Sequence, residues 1–195
     1  MKKSISFLVL LTLLHLASFC QSHIEPDKEF RISSGAGFGS ATENVSSIGT
    51  DWWIQFDYKL ATHFSIAMES DFAHYKQHGL YADLPVKPNE MKVYDNNFSL
   101  LVKYHFSPLK RIKIDLASGW TYCIRQTEYY NLFAIDTLQV WTQNITSFSD
   151  YRIPFVAEVA YSVMHNVDII ARIKYNLNTP DGDTYSASIG LSLKL

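Results

Sequence analysis

The chain lacks most of what a helical, redox or nucleic-acid-binding protein needs. It has two cysteines in 195 residues, Cys20 and Cys123. Those cannot build a disulfide framework or a CxxC metal or redox site. Charged residues make up only 18%, and 17 basic residues stand against 19 acidic ones. This balance excludes the basic footprint that a polyanion binder carries. Apolar residues do not recur at i, i+3, i+4, i+7 anywhere beyond Lys28, so amphipathic helices are not expected. What the chain does have is 47% hydrophobic and 14% aromatic residues, too much for disorder. Mean hydropathy is nonetheless only -0.05, so the apolar residues must be interleaved with polar ones, and the period of that interleaving decides the fold class.

Residues 1–20 read as a secretory signal peptide, leaving 21–195 as one domain. Lys2 and Lys3 form the positive start, residues 5–16 the apolar run, and Ser18 and Cys20 the small residues that suit cleavage before Gln21. A lipoprotein signal ending at Cys20 is the competitor, and bulky Phe19 argues against it. The apolar run is too short for a retained membrane helix.

From Phe30 to the last residue the period is two. Phe30, Ile32, Ser34, Ala36 and Phe38 alternate with Arg31, Ser33, Gly35 and Gly37, and Trp52, Ile54, Phe56, Tyr58 and Leu60 with Trp53, Gln55, Asp57 and Lys59. Similar runs start at Phe64, Phe98, Ile112, Ile153, Val167 and Tyr185. They make about eight strands, each near the length a tilted strand needs to cross a bilayer. Connections alternate between short ones (around Thr62, Leu109 and His165) and long ones (residues 40–48, 74–92, 126–146 and 178–183). An up-and-down barrel with turns at one end and loops at the other has this signature.

Side-chain volume decides which face points outward. The apolar face carries roughly forty residues rich in Trp, Phe, Tyr, Ile and Leu, more than the interior of an eight-stranded barrel can hold. The opposite face is rich in Gly, Ala and Ser, which leaves room for charged side chains to meet. No charge falls on the apolar face of the assigned strand cores, as a lipid-facing surface requires. Aromatics near strand ends, Trp52, Phe72, Trp120, Tyr122, Tyr175 and Tyr185 at one end and Tyr58, Tyr104, Phe106 and Tyr161 at the other, suit two interfacial girdles. The expected fold is therefore all-β, an eight-stranded antiparallel up-and-down transmembrane β-barrel.

In this pattern the chain resembles the small eight-stranded outer-membrane barrels of the OmpA and OmpX type. It is similar in particular to outer-membrane β-barrel proteins of Bacteroidetes, where a signal peptide ending just before Gln, as at Cys20-Gln21, is common. The resemblance covers Phe30 to Leu195 and is one of pattern rather than motif. It implies the outer membrane of a Gram-negative bacterium, contact with outer-membrane lipid, and a monomer. Many such barrels end on an aromatic residue; this one ends on Leu195.

Hairpin register supplies the candidate interior residues. A turn centred on His165 puts Glu158 opposite Arg172, and one centred on Leu109 puts Lys103 opposite Asp115. Glu69 and Asp71 lie at similar depth, with Lys174 and Arg125 as candidate partners. Such groups could line an ion path or do acid–base work, but a small lumen filled by charges must pair them, so a structural plug is expected. Some barrels of this kind modify lipid A with a His and a Ser near the extracellular rim. His63-Phe64-Ser65 and His105-Phe106-Ser107 have those residue types at the opposite, short-turn end, and are read as turn and strand-end residues. His74 and His78 have helical metal-ligand spacing without a helix or a third ligand. Neither a metal, a cofactor nor a nucleic acid is expected. The segment 126–146 is unusually apolar for a loop, and Tyr129, Tyr130, Phe133 and Trp141 are its candidate binding patch. The expected role is non-enzymatic, structural or surface-interacting through extracellular loops, with a narrow porin-like channel and a lipid A-modifying enzyme as alternatives.

Overall fold

Period-two alternation becomes eight antiparallel strands in a computed structural model that describes residues 29–41, 47–78, 90–135, 138–177 and 183–195. They are β1 (Phe30–Ala41), β2 (Ser47–Ala61), β3 (Phe64–His78), β4 (Glu90–Leu109), β5 (Ile112–Ile135), β6 (Leu138–Met164), β7 (Val167–Leu177) and β8 (Thr184–Lys194). Each pairs with its sequence neighbours, and β8 pairs back onto β1 from Arg31↔Lys194 to Ala41↔Thr184, closing the ring. The proposed signal peptide and the segments 42–46, 79–89 and 178–182 lie outside the described residues.

Two-residue turns join the strands at one end: Thr62 and His63, Lys110 and Arg111, His165 and Asn166. Just before each turn the incoming strand slips in register, between Lys59 and Ala61, Phe106 and Leu109, and Ser162 and Met164. One extra residue in a ladder raises the local twist, which suits a tightly curved barrel rim. One expected pair is corrected here. The turn after β4 falls at Lys110 and Arg111 rather than at Leu109, so Lys103 faces Ala117 and Asp115 faces His105. The turn at His165 and Asn166 does place Glu158 opposite Arg172.

At the other end the strands are much longer than expected. Segment 126–146, whose apolar residues also suit an extension of the fifth and sixth strands, is the upper part of a β5–β6 hairpin paired as far as Ile135↔Leu138. The loop expected over 74–92 shortens as well, because β3 runs to His78 and β4 starts at Glu90. His74 thus sits on a strand, its ring stacked on Tyr94 with centroids 4.7 Å apart.

The barrel is inside out. Facing outward and exposed are Phe38, Trp52, Phe72, Leu100, Leu116, Trp120, Phe155, Ile173, Ile189 and Leu191. Facing inward and buried are Asp57, Glu69, Asp71, Asp95, Lys103, Asp115, Arg152, Glu158, Arg172 and Lys174. Outward aromatics meet across strands, as Trp52 does with Phe72 at 5.5 Å and Tyr122 with Tyr151 at 5.4 Å between centroids. Apolar residues inside are few: Ala67, Leu101, Ala117 and Val156 form one cluster and Trp53, Ala160 and Ile170 another.

Trp53 shows why glycine is needed on the inner face. Gly35 faces both Trp53 and Gly190 in the ladders. A Cβ on either glycine would lie 2.8 Å from Trp53 Cζ2 and 2.5 Å from a backbone oxygen. The indole therefore rests on a floor of two bare backbones. Its Nε1 donates to Ser188 Oγ at 2.9 Å, and the Arg172 guanidinium lies 4.4 Å above the ring.

Candidate functional site

Charged side chains fill the lumen in three layers. In the middle layer Glu69 on β3 accepts from Arg172 and, at 2.7 Å, from Lys174, both on β7 across the barrel. Lys174 also donates to Asp71. Arg172 Nε lies 3.7 Å from Glu158, whose other oxygen accepts from Lys103 Nζ at 2.6 Å. Lys103 reaches Asp57 at 3.3 Å and Asp115 at 3.9 Å. Seven of the eight expected lumen residues thus belong to one continuous network, and Lys103 contacts Asp115 diagonally.

Arg125 is the exception. It does not reach Glu69 or Asp71 but pairs one layer higher, on the long-strand side, with Asp95 directly across the β4–β5 ladder. There Nε and Nη2 bind both carboxylate oxygens, at 2.7 and 2.9 Å. Arg152 joins the same carboxylate at 2.9 Å and Asp150 at 3.2 Å. Arg152 stands on the inward face of the sixth alternating run and Asp95 just before the fourth, but the long connections 74–92 and 126–146 give no hairpin register from which to pair them.

The third layer lies at the short-turn end. Asp168 accepts from Ser162 Oγ at 2.6 Å and Lys194 Nζ at 3.1 Å, with Lys113 at 3.8 Å. Arg31 joins Glu29 at 2.7 Å and Asp115 at 3.7 Å. His105, half-buried, lies between Asp115 and Ser65: Nδ1 to Asp115 Oδ1 is 2.7 Å and Nε2 to Ser65 Oγ is 2.7 Å. Reading His and Ser within each tripeptide missed this contact. The structure joins the serine of one tripeptide to the histidine of the other, on neighbouring strands.

The upper layer balances Arg125 and Arg152 against Asp95 and Asp150, while in the middle layer Lys103, Arg172 and Lys174 are shared among five carboxylates. Each cation meets at least one carboxylate within salt-bridge distance. Charges removed from water are tolerable only in that state. With Trp53, Leu101 and Gln55 also fully buried, the lumen is packed with side chains.

At the opposite end the β5–β6 hairpin rises alone. The β4–β5 ladder stops at Lys92↔Glu128, and β7 meets β6 only from Ile153↔Leu177. Among the described residues, positions 138–152 of β6 therefore have no partner on the β7 side. Both parities of residues 142–149 are solvent-facing, with only Asn144 intermediate. The register sets Tyr129 against Asn144, Tyr130 against Gln143, Leu132 against Trp141 and Phe133 against Val140. The side chains of Tyr129, Tyr130, Phe133 and Trp141 lie outside the description.

An inside-out closed ring of eight up-and-down strands, with turns at one end and extended hairpins at the other, is found in solved membrane proteins. The structure superposes on Neisserial surface protein A with a TM-score of 0.52 at 18% identity, covering 86% of this chain and 96% of that one. With Ail, the attachment invasion locus protein of Yersinia pestis, the TM-score is 0.55 at 12% identity, covering 86% and 99%. The fold is that of the small outer-membrane β-barrels. The N-terminal β-barrel domain of Pseudomonas aeruginosa OprF also matches, with a TM-score of 0.50 at 15% identity over 88% and 100% of the two chains. No family model and no curated protein matches the sequence, so the likeness is carried by structure. Fold and exterior agree on a transmembrane barrel of the outer-membrane type.

Proposed function

We propose that this barrel is a surface-interaction protein of the outer membrane, a monomer held in lipid by its exterior and braced by its filled lumen, with the β5–β6 hairpin as its binding element. The observation that carries this is the open edge of β6 at residues 138–152, exposed on both faces over most of 142–149. An unpaired strand edge offers a row of backbone donors and acceptors to a partner's extended segment. The names of two matching proteins, a surface protein and an attachment protein, agree with such a role. Recognition at this end requires neither metal nor cofactor.

The test is to replace residues 129–144 by a two-residue Asn-Gly turn linking Glu128 to Ile145. Cells displaying each form are then compared for adhesion to immobilised matrix proteins and for self-aggregation. The barrel should still fold, seen as a heat-dependent shift in gel mobility, while adhesion falls to the level of cells lacking the protein. Unchanged adhesion with a folded barrel refutes the assignment.

A further inference from the structure

At the short-turn end three side chains meet in an order the surface-interaction role does not use. Ser65 is the second residue of β3, His105 lies near the end of β4, and Asp115 is the fourth residue of β5. Ser65 faces Lys103 and His105 faces Asp115 in the ladders, so the imidazole spans the diagonal between serine and carboxylate. The Asp115 carboxylate can only accept, so His105 Nδ1 donates to it. In the neutral ring this leaves Nε2 as the acceptor for the Ser65 hydroxyl. Both contacts are 2.7 Å. Serine to Nε2 and Nδ1 to carboxylate is the connectivity that lets a hydroxyl act as a nucleophile.

We propose that Ser65, His105 and Asp115 form an acyl-transfer site opening to the periplasmic end of the lumen and acting on small carboxylic esters. Ser65 Oγ attacks the ester carbonyl carbon as its proton passes to His105 Nε2. The bond to the alcohol oxygen then breaks, and the alcohol leaves with that proton. Water attacks the Ser65 ester by the reverse route, losing a proton to His105, and the acid departs as Ser65 regains its proton. Asp115 holds the ring and offsets its charge while it is protonated. Arg31, 3.7 Å from Asp115, and Lys103, 3.9 Å from it, put positive charge beside that carboxylate and keep it ionised to hold the ring. Ser65 is only 1% exposed, which restricts the site to small acyl groups entering beside half-buried His105. Lipid-facing chemistry at an extracellular rim is a different location, and nothing here depends on the hairpin.

Folded protein in detergent is treated with a fluorophosphonate probe, which a serine of this kind displaces at phosphorus with loss of fluoride, and the labelled peptide is mapped. Labelling at Ser65 is expected, falling by about a hundredfold or more in His105→Ala and in Asp115→Asn and absent in Ser65→Ala. All variants are first checked for the gel shift of a folded barrel. Ser65→Cys, treated with a small methanethiosulfonate, reads access independently of catalysis. Mixed-disulfide formation at that cysteine, with release of methanesulfinate, without wild-type labelling at Ser65 shows a reachable but inert serine and overturns the proposal. Failure to form it shows a sealed site and overturns it too, as does Ser65 labelling that is indifferent to His105.

Discussion

Replacing Arg172 by methionine keeps an unbranched stem and removes the charged guanidinium. Three contacts disappear: the bond to Glu69, the 3.7 Å approach to Glu158, and the stacking 4.4 Å above Trp53. Glu69 keeps Lys174 at 2.7 Å and Glu158 keeps Lys103 at 2.6 Å, so neither carboxylate is stranded, but each loses half of its neutralisation in a dry interior. Removing one partner of a buried pair costs about 3–5 kcal/mol, and the lost cation–π contact about 1 kcal/mol of that. With a urea slope of about 2 kcal/mol/M, the unfolding midpoint falls by about 1.5–2.5 M. Urea titration of the barrel refolded in lipid vesicles, followed by tryptophan fluorescence, measures it. The double variant Arg172→Met with Glu69→Gln removes both charges, and its loss should be smaller than the sum of the single losses by about 2–3 kcal/mol. If Arg172→Met cost less than about 1 kcal/mol and the two losses were additive, the lumen charges would be screened by water as surface pairs are, and a dry ionic plug would be refuted.

Other expectations follow from steric fit and from the two solvents. Gly190→Ala places a methyl 2.5 Å from the Ser34 carbonyl oxygen and 2.8 Å from Trp53; it should cost about 1–3 kcal/mol, read from the same urea midpoint. Ile189, halfway along β8 and facing lipid, should cost about 2–4 kcal/mol when changed to arginine, measured by refolding yield and midpoint in vesicles. With its lumen filled, the wild-type barrel should show no discrete conductance in planar bilayers, and regular channel openings would contradict the packed interior.

The sequence made the strand count and the in–out parity legible because a barrel wall repeats one local rule, and each inward charge had to follow it. Glu158 and Arg172 were found because the turn does fall at His165 and Asn166. Lys103 was misplaced by two residues because Ser107-Pro108-Leu109-Lys110 does not say which of its residues make the turn, and the turn falls at Lys110 and Arg111 rather than at Leu109. Contacts across the lumen were partly within reach: depth alone offered Lys174 to Glu69 and Asp71, but that Glu69 also meets Arg172, from strands that never pair, is set only by ring closure. The relay of Ser65, His105 and Asp115 failed to appear for a related reason. Its members lie on three strands, so two hairpin-end registers must be known together.

Trp53 belongs to β2, yet its indole lies over the Gly35–Gly190 pair that joins β1 to β8 and bonds to Ser188 on β8. The side chain thus acts as a clasp over the join between the two ends of the sheet. That join brings together the residues most distant in the chain, the kind of contact whose loop-closure entropy slows folding. A nascent sheet that has inserted seven strands has the clasp waiting but nothing for it to hold. The clasp can lock only after β8 arrives, which gives assembly a direction and an end point that indole fluorescence can time.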